Sequence, residues 1–163
     1  MIWHRLCAAL LKDDEAELFV LSPLLFPLLS WIQKQQVREN ICLYRGSSGS
    51  LASARCPLSS ISQQPLLLSA STSPGVVCQH NSDAPVLEIQ VPQGMTNCAN
   101  IPPHLIGHAM GDEWILSPYS TLQYVSNRQE GTFHVLTFLL LDPMQVWNSE
   151  LNLKGCLVMM GEK

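Results

Sequence analysis

Three separated segments of this 163-residue chain carry side chains able to hold anionic oxygens and to steady a developing positive charge. The first, Leu43-Tyr44-Arg45-Gly46, ends a short apolar run in an arginine and a glycine. The guanidinium is a planar five-donor fork suited to anionic oxygens, and a glycine lets a ligand come close to the backbone. The second, Leu68-Ser69-Ala70-Ser71-Thr72-Ser73, runs from apolar residues into hydroxyls that can both donate and accept. The third, Asp112-Glu113-Trp114-Ile115-Leu116-Ser117-Pro118, opens an apolar run with two acids. A carboxylate held in place stabilises a cation that forms only in the transition state. Taken singly, each segment has an ordinary structural reading: a surface arginine, a serine cap or turn, a solvated acid at a strand start.

Other chemistries find less support. His104 and His108 are four apart, as a helical metal pair would be, but Pro102-Pro103 precede them and no third ligand is evident. Both histidines are therefore read as loop or core residues, and no metal is expected. There is no Gly-x-Ser-x-Gly elbow for a serine nucleophile. The Gly46-Ser47-Ser48-Gly49 run lacks the lysine and helix of a phosphate-binding loop.

The elements that must position these segments are helical first and extended afterwards. Within residues 3–12, Trp3, Leu6, Cys7 and Leu10 recur at helical spacing. Acids at 13–17 suit a helix start, and a second helix is expected over about 23–36, with Pro23 in its first turn and Pro27 beginning or kinking it. Residues 41–44 have strand composition. Residues 47–64, rich in serine and glycine, read as a long surface loop. Further strands are expected at 66–70, 86–91, 114–116, 122–125 and 133–141, with 156–160 closing a sheet. Helices followed by strands give an α+β class in a single domain, with a helical lobe over about 1–38 and a β core over about 41–160.

Composition narrows the partners. Apolar residues make up 47% of the chain and charged residues 13%, enough apolar content for one real core. A net charge of −4 with no basic block argues against nucleic acid. The apolar stretch 18–32 contains Pro23 and Pro27 and falls short of the ~20 residues of a membrane span. It is read as a buried helix of a soluble domain, with a membrane segment as the alternative. No secretory signal is recognisable at the N-terminus, so the expected location is cytoplasmic, with unconventional secretion left open. The six cysteines are scattered without a C-x-x-C pair and are read as free thiols.

In order, spacing and strand context, the Arg45, Ser71 and Glu113 segments together resemble the arginine–serine–glutamate class of mono-ADP-ribosyltransferases. The helical preface and the hairpin expected from 122–125 and 133–141 fit the same family. That resemblance implies an ADP-ribosyltransferase-like fold, with a helical lobe before a split, mostly antiparallel β core. It implies NAD⁺ as substrate, no metal, an acceptor protein as partner, and cleavage of the nicotinamide–ribose bond with transfer of ADP-ribose. It assigns catalysis to Arg45, Ser71 and Glu113, and NAD⁺ contacts to Arg45, Gly46, Ser71 and Ser73. Arginine-modifying members carry an acid two residues before the catalytic glutamate; here Gly111 stands in that position. An NAD⁺ glycohydrolase and a catalytically weak binding module are the alternatives. The acceptor and the oligomeric state stay open.

Overall fold

The computed structural model describes residues 2–46, 60–75, 85–106, 112–131 and 133–142. Helix α1 spans Ile2–Lys12 and α2 spans Glu15–Lys34. The strands are β1 (Ile41–Gly46), β2 (Ile61–Gln64), β3 (Leu68–Ala70), β4 (Val86–Val91), β5 (Cys98–Ile101), β6 (Glu113–Leu116), β7 (Ser120–Glu130) and β8 (Phe133–Leu141). A single turn of helix, α3 (Pro103–Ile106), links β5 to β6 and carries His104 in the open. His108 and the 156–160 segment lie outside the described residues.

The strands form a five-stranded sheet, β1-β4-β8-β7-β2, and a three-stranded sheet, β3-β6-β5. All described pairings are antiparallel except β4 with β8. Alternation along each strand sorts residues by face. Leu43, Leu68, Leu87, Ile89, Leu116 and Phe138 fill the space between the sheets. On the far side of the smaller sheet, Ala99 and Ile115 meet Leu6, Ala9, Leu10, Leu21, Leu25 and Ile32 of the helices. The order of layers is thus large sheet, small sheet, helices.

Helix α2 starts eight residues before the expected Pro23 and runs through both prolines. Asp14 caps it, accepting from the Glu17 N–H at 3.1 Å, and Glu15 and Glu17 suit the positive end of the helix dipole. Pro23 cannot donate to the Phe19 carbonyl, and the Ser22 hydroxyl donates to it instead at 2.7 Å. At 20 residues, α2 is long and apolar enough to cross a membrane by length and composition alone, contrary to the shorter stretch read from the sequence.

Two strands were not expected. Residues 61–64, assigned to a loop, form edge strand β2 against Ser120–Gln123, and residues 98–101 form β5 against β6. Neither segment alternates clearly, so partner strands rather than local preference decide their conformation.

The outer face of the large sheet carries a polar row. Glu88, only 6% exposed, accepts from both Arg128 Nη atoms at 2.6 and 3.1 Å and from the Thr137 hydroxyl at 3.2 Å. The Arg128 fork holds the Glu88 carboxyl below the ordinary carboxylate range, against the opposite push of burial. Arg128→Ala strands a buried carboxylate. The expected loss is about 2 kcal/mol, less than a fully buried pair because the Arg128 side chain is 42% exposed. Because the folded pKa is depressed, this stabilisation is present above the unfolded value of about 4.3 and lost as pH falls through the lower folded one. The gap between wild type and variant in urea melts should therefore narrow as pH is lowered below about 4. A constant gap would contradict the pairing.

Candidate active site

Among the described residues, a backbone bridge joins the two sheets between Tyr44 and Ser71. The Tyr44 N–H donates to the Ser71 carbonyl at 2.7 Å, and the Ser71 N–H donates to the Tyr44 carbonyl at 2.9 Å. Tyr44 belongs to β1, and Ser71 is the residue after β3. This switch of partner carries the chain from the small sheet onto the edge of the large one, and it places Arg45 and Thr72 immediately beyond the seam.

From β1 the Arg45 side chain reaches across to β3. Nη1 donates to the Ser69 carbonyl at 2.7 Å and lies 3.4 Å from the Ser69 hydroxyl. Burial lowers the pKa of the guanidinium, and the nearby Cys7 thiol of α1 acts in the opposite sense. Among the described residues no carboxylate pairs with it. A half-buried cation without a counter-ion is costly, and such a group is suited to receiving an anionic ligand.

Ser71 is bonded to an acid, and that acid is Asp112. The Ser71 hydroxyl donates to Asp112 Oδ1 at 3.0 Å and accepts from the Ser73 N–H at 3.1 Å. Asp112 also receives the Thr72 N–H at 3.2 Å, the Thr72 hydroxyl at 2.8 Å and Trp114 Nε1 at 2.8 Å. Burial pushes the Asp112 carboxyl upward, but the bonds from Thr72, Ser71 and Trp114 outweigh it and hold the group below the usual range. Asp112 is therefore a fixed carboxylate that locks the serine–threonine–serine corner to the start of β6.

Glu113 is the first residue of β6, half-buried and paired with Ile101. In the β3–β6 register Ser69 faces Ile115 and Ala70 faces Trp114, so the pairing ends one residue short of Glu113, where Ser71 turns to Tyr44. Alternation puts Glu113 on the same face as Ile115 and Ser69, the face covered by the helices. Arg45 bonds Ser69 and lies near Cys7 of α1, so its guanidinium approaches that face as well. Gly46, exposed, ends β1 opposite Val86. Gly111 lies outside the described residues. A separate pocket of about 240 Å³ opens beside Ile41, Asn100 and Trp114 and touches none of Arg45, Ser71 or Glu113.

No protein-family model matches the sequence, and no curated protein matches it. Solved structures do. Exoenzyme S from Pseudomonas aeruginosa superposes with a TM-score of 0.63 at 13% identity, over 93% of this chain and 71% of that one. C3larvin toxin, an ADP-ribosyltransferase from Paenibacillus larvae, gives 0.55 at 14% identity over 72% and 70%. Vis toxin, an ADP-ribosyltransferase from Vibrio splendidus, gives 0.54 at 13% identity over 90% and 70%. This chain has the ADP-ribosyltransferase fold.

Within that ADP-ribosyltransferase fold, the structure brings Arg45, Ser71, Ser73 and the acid pair to one seam, although they come from three distant segments. The Ser71 hydroxyl, which the resemblance assigns to the site, is bonded to Asp112. Asp112, just before β6, shares a bond with Trp114. What the sequence does not reveal is that Ser71 leaves β3 for β1, which lets the hydroxyl reach over the strand end. Ser69, which anchors Arg45, and Thr72, which supplies two of the donors to Asp112, were visible only as members of a serine-rich run.

Proposed function

We propose that this protein is an NAD⁺-dependent mono-ADP-ribosyltransferase. The observation that carries the reading is the Arg45 guanidinium at the sheet junction, free of any carboxylate among the described residues, in a fold shared with ADP-ribosyltransferases. Exoenzyme S, of the same fold, has been solved bound to carba-NAD. Arg45 takes the phosphate and ribose side of NAD⁺, and main-chain groups at Gly46 meet the nicotinamide amide. Ser71 and Ser73 line the ribose, with Asp112 fixing Ser71. The bond from ribose C1′ to the nicotinamide nitrogen breaks, and its electron pair leaves with nicotinamide. The ribosyl cation that develops is stabilised by the Glu113 carboxylate. An acceptor side chain then bonds to C1′ and gives up its proton.

Gly111 in place of the upstream acid bears on the acceptor. A carboxylate there would pair with an arginine guanidinium through two charge-assisted bonds and orient it for attack. Without it, hydrolysis of NAD⁺ competes, and a glycohydrolase is the second reading. Incubation with labelled NAD⁺, following free nicotinamide and protein-bound label together, tests both. Nicotinamide release with label on protein supports the transferase, and release without label supports the hydrolase. The absence of both nicotinamide release and NAD⁺ binding would overturn the proposal. Gly111→Glu is expected to raise arginine labelling relative to hydrolysis. A variant that melts like wild type with an unchanged ratio would assign the acceptor to another group.

A further inference from the structure

Between its charged ends helix α2 is largely apolar, and among the described residues only one side of it is covered. Leu21, Leu25 and Ile32 pack against the small sheet. On the opposite side Phe19 is 80% exposed, Phe26 66%, Val20 61% and Leu24 53%. Val20, Pro23, Pro27 and Ser30 follow one another at alternating steps of three and four, the spacing of a helix–helix seam. The same spacing carries the seam back to Ala16 and forward to Lys34, both exposed. Contiguous apolar surface of this kind marks an interaction face.

We infer that this face joins two copies of the chain in a two-fold dimer with their α2 helices antiparallel. The distribution of charge selects a second copy. Glu15, exposed, adjoins Ala16 at one end of the seam, where Glu17 is held by Arg5 of α1 at 2.7 Å, and Lys34 sits on the seam at the other. Antiparallel packing that sets Ala16 against the second copy's Lys34 places that ammonium beside the Glu15 carboxylate, and two-fold symmetry repeats the contact at the far end. The same register lays Pro23 against the second copy's Pro27 and Leu24 against its Phe26, so apolar meets apolar at the centre of the seam, with Val20 facing the second copy's Ser30 toward each end. The helix dipoles also oppose each other favourably.

Area is consistent with this occupant. The two phenylalanines expose on the order of 300 Å² per protomer, hence on the order of 600 Å² in the pair. With Val20, Leu24 and the prolines the seam approaches the roughly 1,000 Å² of a specific interface. A bilayer suits the face less well. Spanning would pull Leu21, Leu25 and Ile32 out of their contacts with Ala99 and Ile115. The start of α2 is bordered by Asp13, Asp14, Glu15 and Glu17, which an anionic leaflet repels.

Sedimentation velocity on the full chain, from low to high micromolar concentration, tests the inference, with melting curves to confirm folding. Wild type should shift from monomer to dimer, and Phe26→Glu should remain monomeric. Phe26 is exposed in the single chain, so the substitution spares the core. Lys34→Glu turns two attractions into repulsions and should weaken the dimer by about tenfold. Adding Glu15→Lys should restore much of that loss. Wild type that stays monomeric, a dimer indifferent to Phe26→Glu, or a dimer indifferent to Lys34→Glu would overturn the inference. So would a monomeric wild type that binds phosphatidylserine vesicles and loses them on Phe26→Glu, which would give the face to a bilayer.

Discussion

Replacing Glu113 by glutamine is expected to lower nicotinamide release by about 10²–10³-fold while NAD⁺ binding largely survives. Glutamine keeps the shape of the side chain and removes its charge. Positive charge on the ribose develops on the way to the transition state, so the loss falls on turnover rather than on affinity. The neighbouring acid supplies the internal comparison. Asp112 is engaged by Ser71, Thr72 and Trp114, and an asparagine there would turn an amide against donors. Asp112→Asn is therefore expected to lower the melting temperature, which Glu113→Gln should leave nearly unchanged. Steady-state release assays and thermal melts on both variants separate the two acids. Wild-type turnover in Glu113→Gln, with turnover abolished in a stable Asp112→Asn protein, would move the catalytic carboxylate to Asp112.

Arg45 should show the opposite division between function and stability. Its guanidinium is bonded to the Ser69 carbonyl and meets no carboxylate among the described residues, and burial works against its charge. Arg45→Met is expected to weaken NAD⁺ binding by about 10–100-fold, the worth of one or two charge-assisted bonds. The melting temperature should hold or rise, because a half-buried uncompensated charge is removed. Arg45→Lys should recover little of the affinity, since a point charge on a flexible stem cannot reproduce a planar fork. Calorimetric titration with NAD⁺ alongside melting curves checks both halves. Undiminished affinity in Arg45→Met, or a collapse in stability with affinity intact, would make Arg45 a structural residue.

Local chemistry alone determined a good part of this molecule. The period in residues 3–12 marks α1, and the β-branched and aromatic runs at 86–91 and 133–141 become β4 and β8 with the same bounds. α1 is legible because one face of it is buried, so burial writes its period into the residue types, and β4 and β8 because mostly apolar runs of this length suit strands inside a sheet. The three segments around Arg45, Ser71 and Glu113 were legible as types in order. The start of α2 was obscured by its prolines, whose cost is relieved by a Ser22 bond that no propensity contains.

Tertiary structure decided the rest. β2 and β5 are strands because β7 and β6 offer them paired edges, and a short segment without alternation carries no sign of a partner far along the chain. The identity of the acid that Ser71 holds depends on the Tyr44–Ser71 bridge. That bridge takes Ser71 off the β3 line, where the β3–β6 pairing ends, and its hydroxyl meets Asp112 at the strand end. Sequence spacing orders side chains along one strand, but only the crossing of two sheets brings three strand ends to a single point.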